Sequence, residues 1–335
     1  MLEVCRSTTL RVFSAVLLTA VGSLSSSAQS VLNFPRVIST QQVFTGIAVG
    51  NPTPSTVTVT FTAYEADGSL VAGSPNPTTA MVPAGGQLAR QCTELFGAED
   101  FNGWVEATSA SSGSTGFFLN GNPSVTDLDG ELAPDAGVEF VVPFAVEDAT
   151  ARTELTAVNV GREIATATLI LYSEDGQILA TKDVVLAAKS LSRQTFRGLF
   201  EGANLALASH VMVRGDRSLV THAVVADFQV AGTELRRETI AFGCRVPSEA
   251  PRQILPQFVT GAGWLAFLGL VNTAATAQDV VVTARQDDGS SWVCRATPGS
   301  LRSRRTEDGA ARWPICSVLP MVLSFEPDGS TSRRL

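Results

Sequence analysis

Between residues 55 and 63 the chain alternates strictly: Val57, Val59, Phe61 and Ala63 fall on one side, and Thr56, Thr58, Thr60 and Thr62 on the other. A period of two predicts a strand with one buried face. Asp67-Gly68 follows. An Asp-Gly pair reverses a hairpin because glycine accepts positive φ and aspartate tolerates it. The pattern returns at 165–176, where Ala165, Ala167, Leu169 and Leu171 take the inward places before Asp175-Gly176. It returns again before Asp288-Gly289, with Val280, Val282 and Ala284 inward and Gln278 out of pattern. Short strands are expected after the first two turns, at 70–72 and 178–180.

These segments belong to longer repeats. Ungapped stretches begin at Pro35, Pro143 and Pro256 and end at Gly68, Gly176 and Gly289, at constant offsets of 108 and 113. Asn51, Asn159 and Asn272 coincide, and so do Tyr64 and Tyr172, the only tyrosines in the chain. The later halves of the first two units also match. Leu88-Ala89-Arg90-Gln91 answers to Leu191-Ser192-Arg193-Gln194, and Leu95-Phe96-Gly97 to Leu199-Phe200-Glu201. That predicts a strand followed by one helical turn. Further strands are expected at 103–109 and 116–119, and at 209–213 and 219–228. A period near 110 is the size of a whole domain, too long for a solenoid repeat. About seven short strands with turns every 8–12 residues predict a β-sandwich. The fold class expected is therefore all-β, in tandem sandwiches. Residues 29–137 form the first, 138–247 the second and 248–292 a truncated third. Pro-bearing charged linkers lie at 131–137 and 245–252. The first two units are expected to fold as one soluble piece, and the third to fold poorly or to lean on a neighbour.

Asn51-Pro52, the strand ending Ala63-Tyr64-Glu65-Ala66-Asp67-Gly68, and the turn Val82-Pro83-Ala84-Gly85-Gly86 resemble tandem immunoglobulin-like modules of bacterial secreted and surface proteins, mostly uncharacterised. The resemblance spans about residues 31–292. It implies immunoglobulin-like sandwiches and a role in adhesion or scaffolding. The Cys…Trp…Cys spacing of antibody domains is absent.

The two ends of the chain differ from its body. Arg6 and Arg11 give a positive stretch before a short apolar segment at 12–24, and Ser26-Ser27-Ala28 offers small side chains. This reads as a signal peptide over 1–28 cleaved after Ala28. Thirteen apolar residues fall short of the roughly 20 a membrane span needs, so no transmembrane span is expected in the mature chain. The destination expected is the extracellular space or the cell surface. At the other end the repeat pattern stops after Trp292. Residues 293–335 carry 7 arginines against 4 acidic residues, while the whole chain has net charge −8. A shifted reading frame near 291–294, or a divergent basic tail, would each produce such a break. The acidic body argues against a nucleic-acid partner, which leaves a basic footprint.

Candidate chemistry is sparse. There are two histidines, His210 and His222, expected to flank a hairpin whose tip is Arg214-Gly215-Asp216. That tripeptide matches a cell-receptor motif but is also an ordinary turn. Asp127, Asp129 and Glu131 alternate around Gly130 like a fragment of a calcium loop, and a full loop needs about twelve residues of ligands. These three are the calcium candidates; an acidic solvated turn is the competing reading. Trp104 and Trp264 are assigned to the core rather than to sugar stacking. The recurring asparagines are read as backbone-bonding turn residues. Cys92, Cys244, Cys294 and Cys316 show no zinc spacing, and their pairing is open. No catalytic residue and no cofactor is assigned. The function expected is a non-catalytic adhesion, scaffold or display protein, with a surface polysaccharide or surface protein as partner. The alternative is a polysaccharide- or calcium-binding accessory module of a larger exported protein or enzyme.

Overall fold

The structure, a computed structural model, describes residues 29–227 apart from 73–74, 126–127, 144, 146 and 148–150. Beyond that it describes 237–241, 244–245, 267–273, 280–285, 291–296 and 318–322. The leader at 1–28, Asp127 and Trp264 lie outside these residues.

The first repeat contains β1 (Ser30–Ser39), β2 (Phe44–Gly50), β3 (Val57–Glu65), β4 (Thr78–Val82) and β5 (Gln87–Gln91). After one helical turn, α1 (Cys92–Phe96), come β6 (Phe101–Ser109), β7 (Thr115–Gly121) and β8 (Leu128–Leu132). Two antiparallel sheets result, in the orders β1-β6-β3-β4 and β5-β2-β7-β8. Their inner faces meet in one core, to which Phe34, Val49, Phe61, Phe96, Val105 and Phe118 contribute. The alternation in the sequence is obeyed: Val59, Phe61 and Ala63 are fully buried. Cys92 opens α1 inside this core as a free thiol, and burial pushes its pKa up to about 12.

The second repeat copies the plan. β9 (Gly137–Val142), β10 (Ala151–Asn159), β11 (Ala165–Ser173), β12 (Ile178–Leu186) and β13 (Leu191–Thr195) precede the helical turn α2 (Phe196–Leu199). Then follow β14 (Ala208–Asp227), β15 (Arg237–Ala241) and β16 (Cys244–Arg245). Strand β14 does the work of both β6 and β7. Its first half pairs with β9 and β11, and its second half with β10 and β15. The two sheets thus share one strand, and their inner faces enclose Phe140, Leu155, Leu169, Leu171, Phe196 and Val213.

Several expectations need correction. The residues at 70–72 make a single bridge, Tyr64 to Leu70, rather than a strand. Pro75 and Pro77 lack ladder donors, and Asn76 substitutes by bonding Ala63 N, Ala63 O and Val71 O through its side chain. In the second repeat, without those prolines, the strand runs unbroken through β12. Arg214-Gly215-Asp216 is not a hairpin tip; it lies inside β14 where the register shifts between the two sheets. The first linker begins after Leu132, because Glu131 and Leu132 still pair with β7.

The strand order also departs from the immunoglobulin arrangement. There the first strand neighbours the second, and the sixth the seventh. Here β1 lies beside β6 and β7 beside β2, so those two strands have exchanged sheets.

In the third region β17 (Phe267–Val271) pairs with β20 (Val318–Val322), and β18 (Val280–Arg285) pairs with β19 (Ser291–Ala296). The β18–β19 ladder reaches Ala296, four residues past the point where the sequence pattern stops; Asp288-Gly289 lies outside the described residues. Among the described residues no helix is long and apolar enough to cross a membrane.

Candidate functional site

The side chains with the most chemical potential gather where the first two repeats meet. Trp104 on β6 and Tyr64 on β3 face outward from the first sandwich. Their rings stack with centroids 4.8 Å apart. Val158 on β10 and Val220 on β14 cover them from the second sandwich. Trp104 is therefore fully buried, but in the joint rather than in the core expected for it. Its Nε1 donates to Lys189 O at 2.7 Å.

Lys189 is the centre of the joint. It sits in the turn between β12 and β13 with φ of 59°, in the left-handed region. The same place in the first repeat is Gly85, φ 62°. Lysine in that conformation is strained by about 1–2 kcal/mol, and the surrounding contacts hold it there. Its Nζ donates to Glu106 Oε2 and to Val160 O, both at 2.7 Å. It also lies 5.5 Å from the centroids of both the Tyr64 and Trp104 rings. Burial first, and then the nearby Glu106 charge, raise the Tyr64 phenol above its ordinary value, while Arg162 acts the other way.

Around this centre, Leu191 N donates to Ala66 O at 2.9 Å. Arg193 donates to Asn102 Oδ1 and pairs with Glu154, which also meets Arg36 at 3.5 Å. A Cβ added to Gly68 would lie 2.3 Å from Ala188 O. The Asp-Gly turn therefore needs its glycine twice, for φ of 90° and for close approach by the next repeat. At the other side of the joint, His222 Nδ1 meets Glu131 Oε2 at 2.7 Å. The His222 ring stands edge-on to Phe118, centroids 5.5 Å apart. A shallow open cleft of about 490 Å³ runs along the joint, lined by Ala66, Asn102, Val185, Leu191, Arg193 and Gln194.

The second repeat offers the third the same socket. Tyr172 stacks on His210 with centroids 5.0 Å apart and planes 7° apart. The two are register partners, as Tyr64 and Trp104 are in the first repeat. Val271, which precedes Asn272 as Val158 precedes Asn159, packs on Val141 and Met212, as Tyr172 does.

The singled-out residues are thus dispersed. His210 and His222 are twelve residues apart on one strand, up to about 40 Å when extended, and belong to different joints. Arg214 pairs with Glu139 and Asp216 accepts from Thr166 N, so the tripeptide is bound into the sandwich. Of the calcium candidates, Asp129 accepts from Gly130 N, Glu131 is held by His222, and Asp127 lies outside the described residues. No group of three metal-ligating side chains occurs among the described residues. Sequence reasoning missed Lys189, Arg193 and Glu154. One signal was present: Lys189 is one of only two lysines in the chain and stands where the first repeat has glycine.

Comparison with protein-family models, with curated proteins and with solved structures finds no match for this chain.

Proposed function

We propose that the chain is an exported, non-catalytic protein that serves as an adhesion, scaffold or display element, its sandwiches held in fixed succession. The observation that carries this reading is the use made of its reactive side chains. Trp104, Lys189, Glu106, Glu131 and His222 bond one repeat to the next, as do Arg193 through Asn102 and Glu154 through Arg36. A joint built of a half-buried ion pair, an aromatic stack and a backbone bond resists bending, and a spacer that presents a distant end needs that property. The immunoglobulin-like relationship is proposed only as two packed antiparallel sheets with outer-face docking. The third repeat supports the same succession, since its Val271 packs on Val141 and Met212 beside Tyr172.

The test is deletion of the coding region, followed by cell fractionation and attachment assays. Loss of attachment or of a surface complex, restored by the wild-type chain, is the expected result. Turnover of a polysaccharide or ester by the purified chain would overturn the non-catalytic reading. A calcium isotherm or a specific glycan hit would replace it with that of a binding accessory module.

A further inference from the structure

Strand pairing fixes which residues share a row on the outer face of each sandwich. In the first repeat Tyr64 and Trp104 form one row, and Thr62, Glu106 and Asn33 the next. In the second repeat the same rows are Tyr172 with His210, and Ile170 with Met212 and Val141. An imidazole thus stands where the first repeat has an indole, and an apolar row stands where it has a polar one.

Bonding differs accordingly. Trp104 donates to Lys189 O, and Glu106 pairs with the Lys189 ammonium. His210 is fully buried and stacked on Tyr172, and neither ring nitrogen has a hydrogen-bond partner among the described residues. An imidazole so placed stays neutral, because its charged form loses hydration and gains no partner in exchange. Burial holds its pKa down to about 4.

The ionisable groups around it do not offset that loss. On β11 its neighbour is the Tyr172 phenol, which is uncharged in acid. Glu174 and Asp175 follow in an exposed turn. On β9 the facing residue is Val141, and β16 brings Cys244 to the register position beside it. Beyond β9, Glu147 is engaged by Arg197. Two rows from His210, about 13 Å along the strand, Arg214 pairs with Glu139 and Asp183 accepts from Thr168. From the third repeat, Val271 packs on Val141 and Met212. Its strand β17 and the paired β20 contain no ionisable residue. While the third repeat covers this face, a proton on His210 meets no counter-charge; with the third repeat lifted away, water solvates it.

We propose that His210 makes the joint between the second and third repeats an acid-released latch: a proton on its ring frees the third repeat, while the joint around Lys189 stays closed. This goes beyond the functional reading above, which needs only sandwiches in succession at neutral pH and stands whether or not the latch opens. The sign follows from the buried ring. Below the ordinary histidine value of about 6.5, the released form accepts a proton that the docked form refuses. The ratio of released to docked chain therefore rises up to about 10-fold per pH unit, down to about pH 4.

Small-angle scattering of the full chain at pH 7.5, 5.5 and 4.5, with circular dichroism recorded alongside, tests it. The distance distribution should lengthen as pH falls, with the β-sheet spectrum retained. His210→Phe and His210→Trp, the latter restoring the residue of the first joint, should keep the pH 7.5 distribution throughout. The chain has two histidines, so NMR of the wild-type chain can follow each ring, and the His210 ring should titrate over the range in which the distribution lengthens. An unchanged wild-type distribution at pH 4.5 overturns the proposal. So does a His210 titration separated from the lengthening. Equal lengthening in both variants overturns it and assigns the acid response to another contact, such as Glu131 with His222. Lengthening accompanied by loss of the β-sheet spectrum overturns it as well, since the second sandwich then unfolds instead of releasing its neighbour.

Discussion

Asn51 and Asn159 show what a repeated residue does when it carries no chemistry. Asn159 Nδ2 donates to Glu163 O, Leu186 O and Ala187 O, and its Oδ1 accepts from Gly161 N. Asn51 makes the corresponding bonds to Ser55 O, Val82 O, Pro83 O and Thr53 N. One amide thus ties two loops together where neither can pair by itself. Asn159→Asp sets a carboxylate against three carbonyls and is expected to destabilise the second sandwich by about 3–5 kcal/mol. Urea unfolding checks this. Asn51→Asp should act equally on the first. His210 gives a pH dependence. It is fully buried, neither ring nitrogen has a partner among the described residues, and burial holds its pKa down to about 4. The unfolded imidazole titrates near 6.5. Between those values the unfolded chain takes up a proton that the folded chain refuses. Stability is complete above pH 6.5 and falls as pH drops toward 4, by about 3 kcal/mol. His210→Phe should flatten that window, measured by urea midpoints at pH 7, 5.5 and 4.5. The recurrence of these residues was legible because a fixed backbone place demands a fixed side chain. Their partners were not, since the carbonyls bonded by Asn159 come partly from a turn 27 and 28 residues away.

At the level of elements, alternation and turn chemistry located the strands well. The helical turn after β5 and β13 was also foreseen, because Leu95 and Phe96, like Leu199 and Phe200, anchor it in the core. The difference between β6–β7 and β14 was not foreseen. In the first repeat residues 110–114 turn the chain from one sheet to the other; in the second, 214–219 cross within one strand. Alternation survives in both, so local pattern does not distinguish them. Gly215 makes the crossing: a Cβ there would lie 2.5 Å from Arg217 O and 2.8 Å from Leu219 Cδ1. Gly215→Val is expected to lower the melting temperature clearly, whereas two glycines inserted at 112–113 should leave it nearly unchanged. Differential scanning calorimetry of both variants checks this contrast.

Across the whole molecule the deciding event is docking of outer faces. Lys189 holds a largely desolvated pair with Glu106, 17% and 18% exposed. Removing one partner of a desolvated pair strands the other, which typically costs about 2–4 kcal/mol. Lys189→Ala should therefore free the repeats from each other while leaving each sandwich folded. Faster proteolysis at 133–136 and a broadened small-angle scattering distance distribution are the expected signs. Unchanged profiles would mean that Lys189 does not hold the joint. By itself the sequence determined the strands, the reversing turns, the doubled sandwich and the equivalence of the two tyrosines, because each depends on spacing and backbone preference within a few residues. Only the tertiary structure decided which sheet each strand joins and that the tyrosines are sockets for the following repeat. Those outcomes depend on contacts between residues as far as 118 positions apart, as between Arg36 and Glu154. A buried interface face and a buried core face leave the same alternation in the sequence.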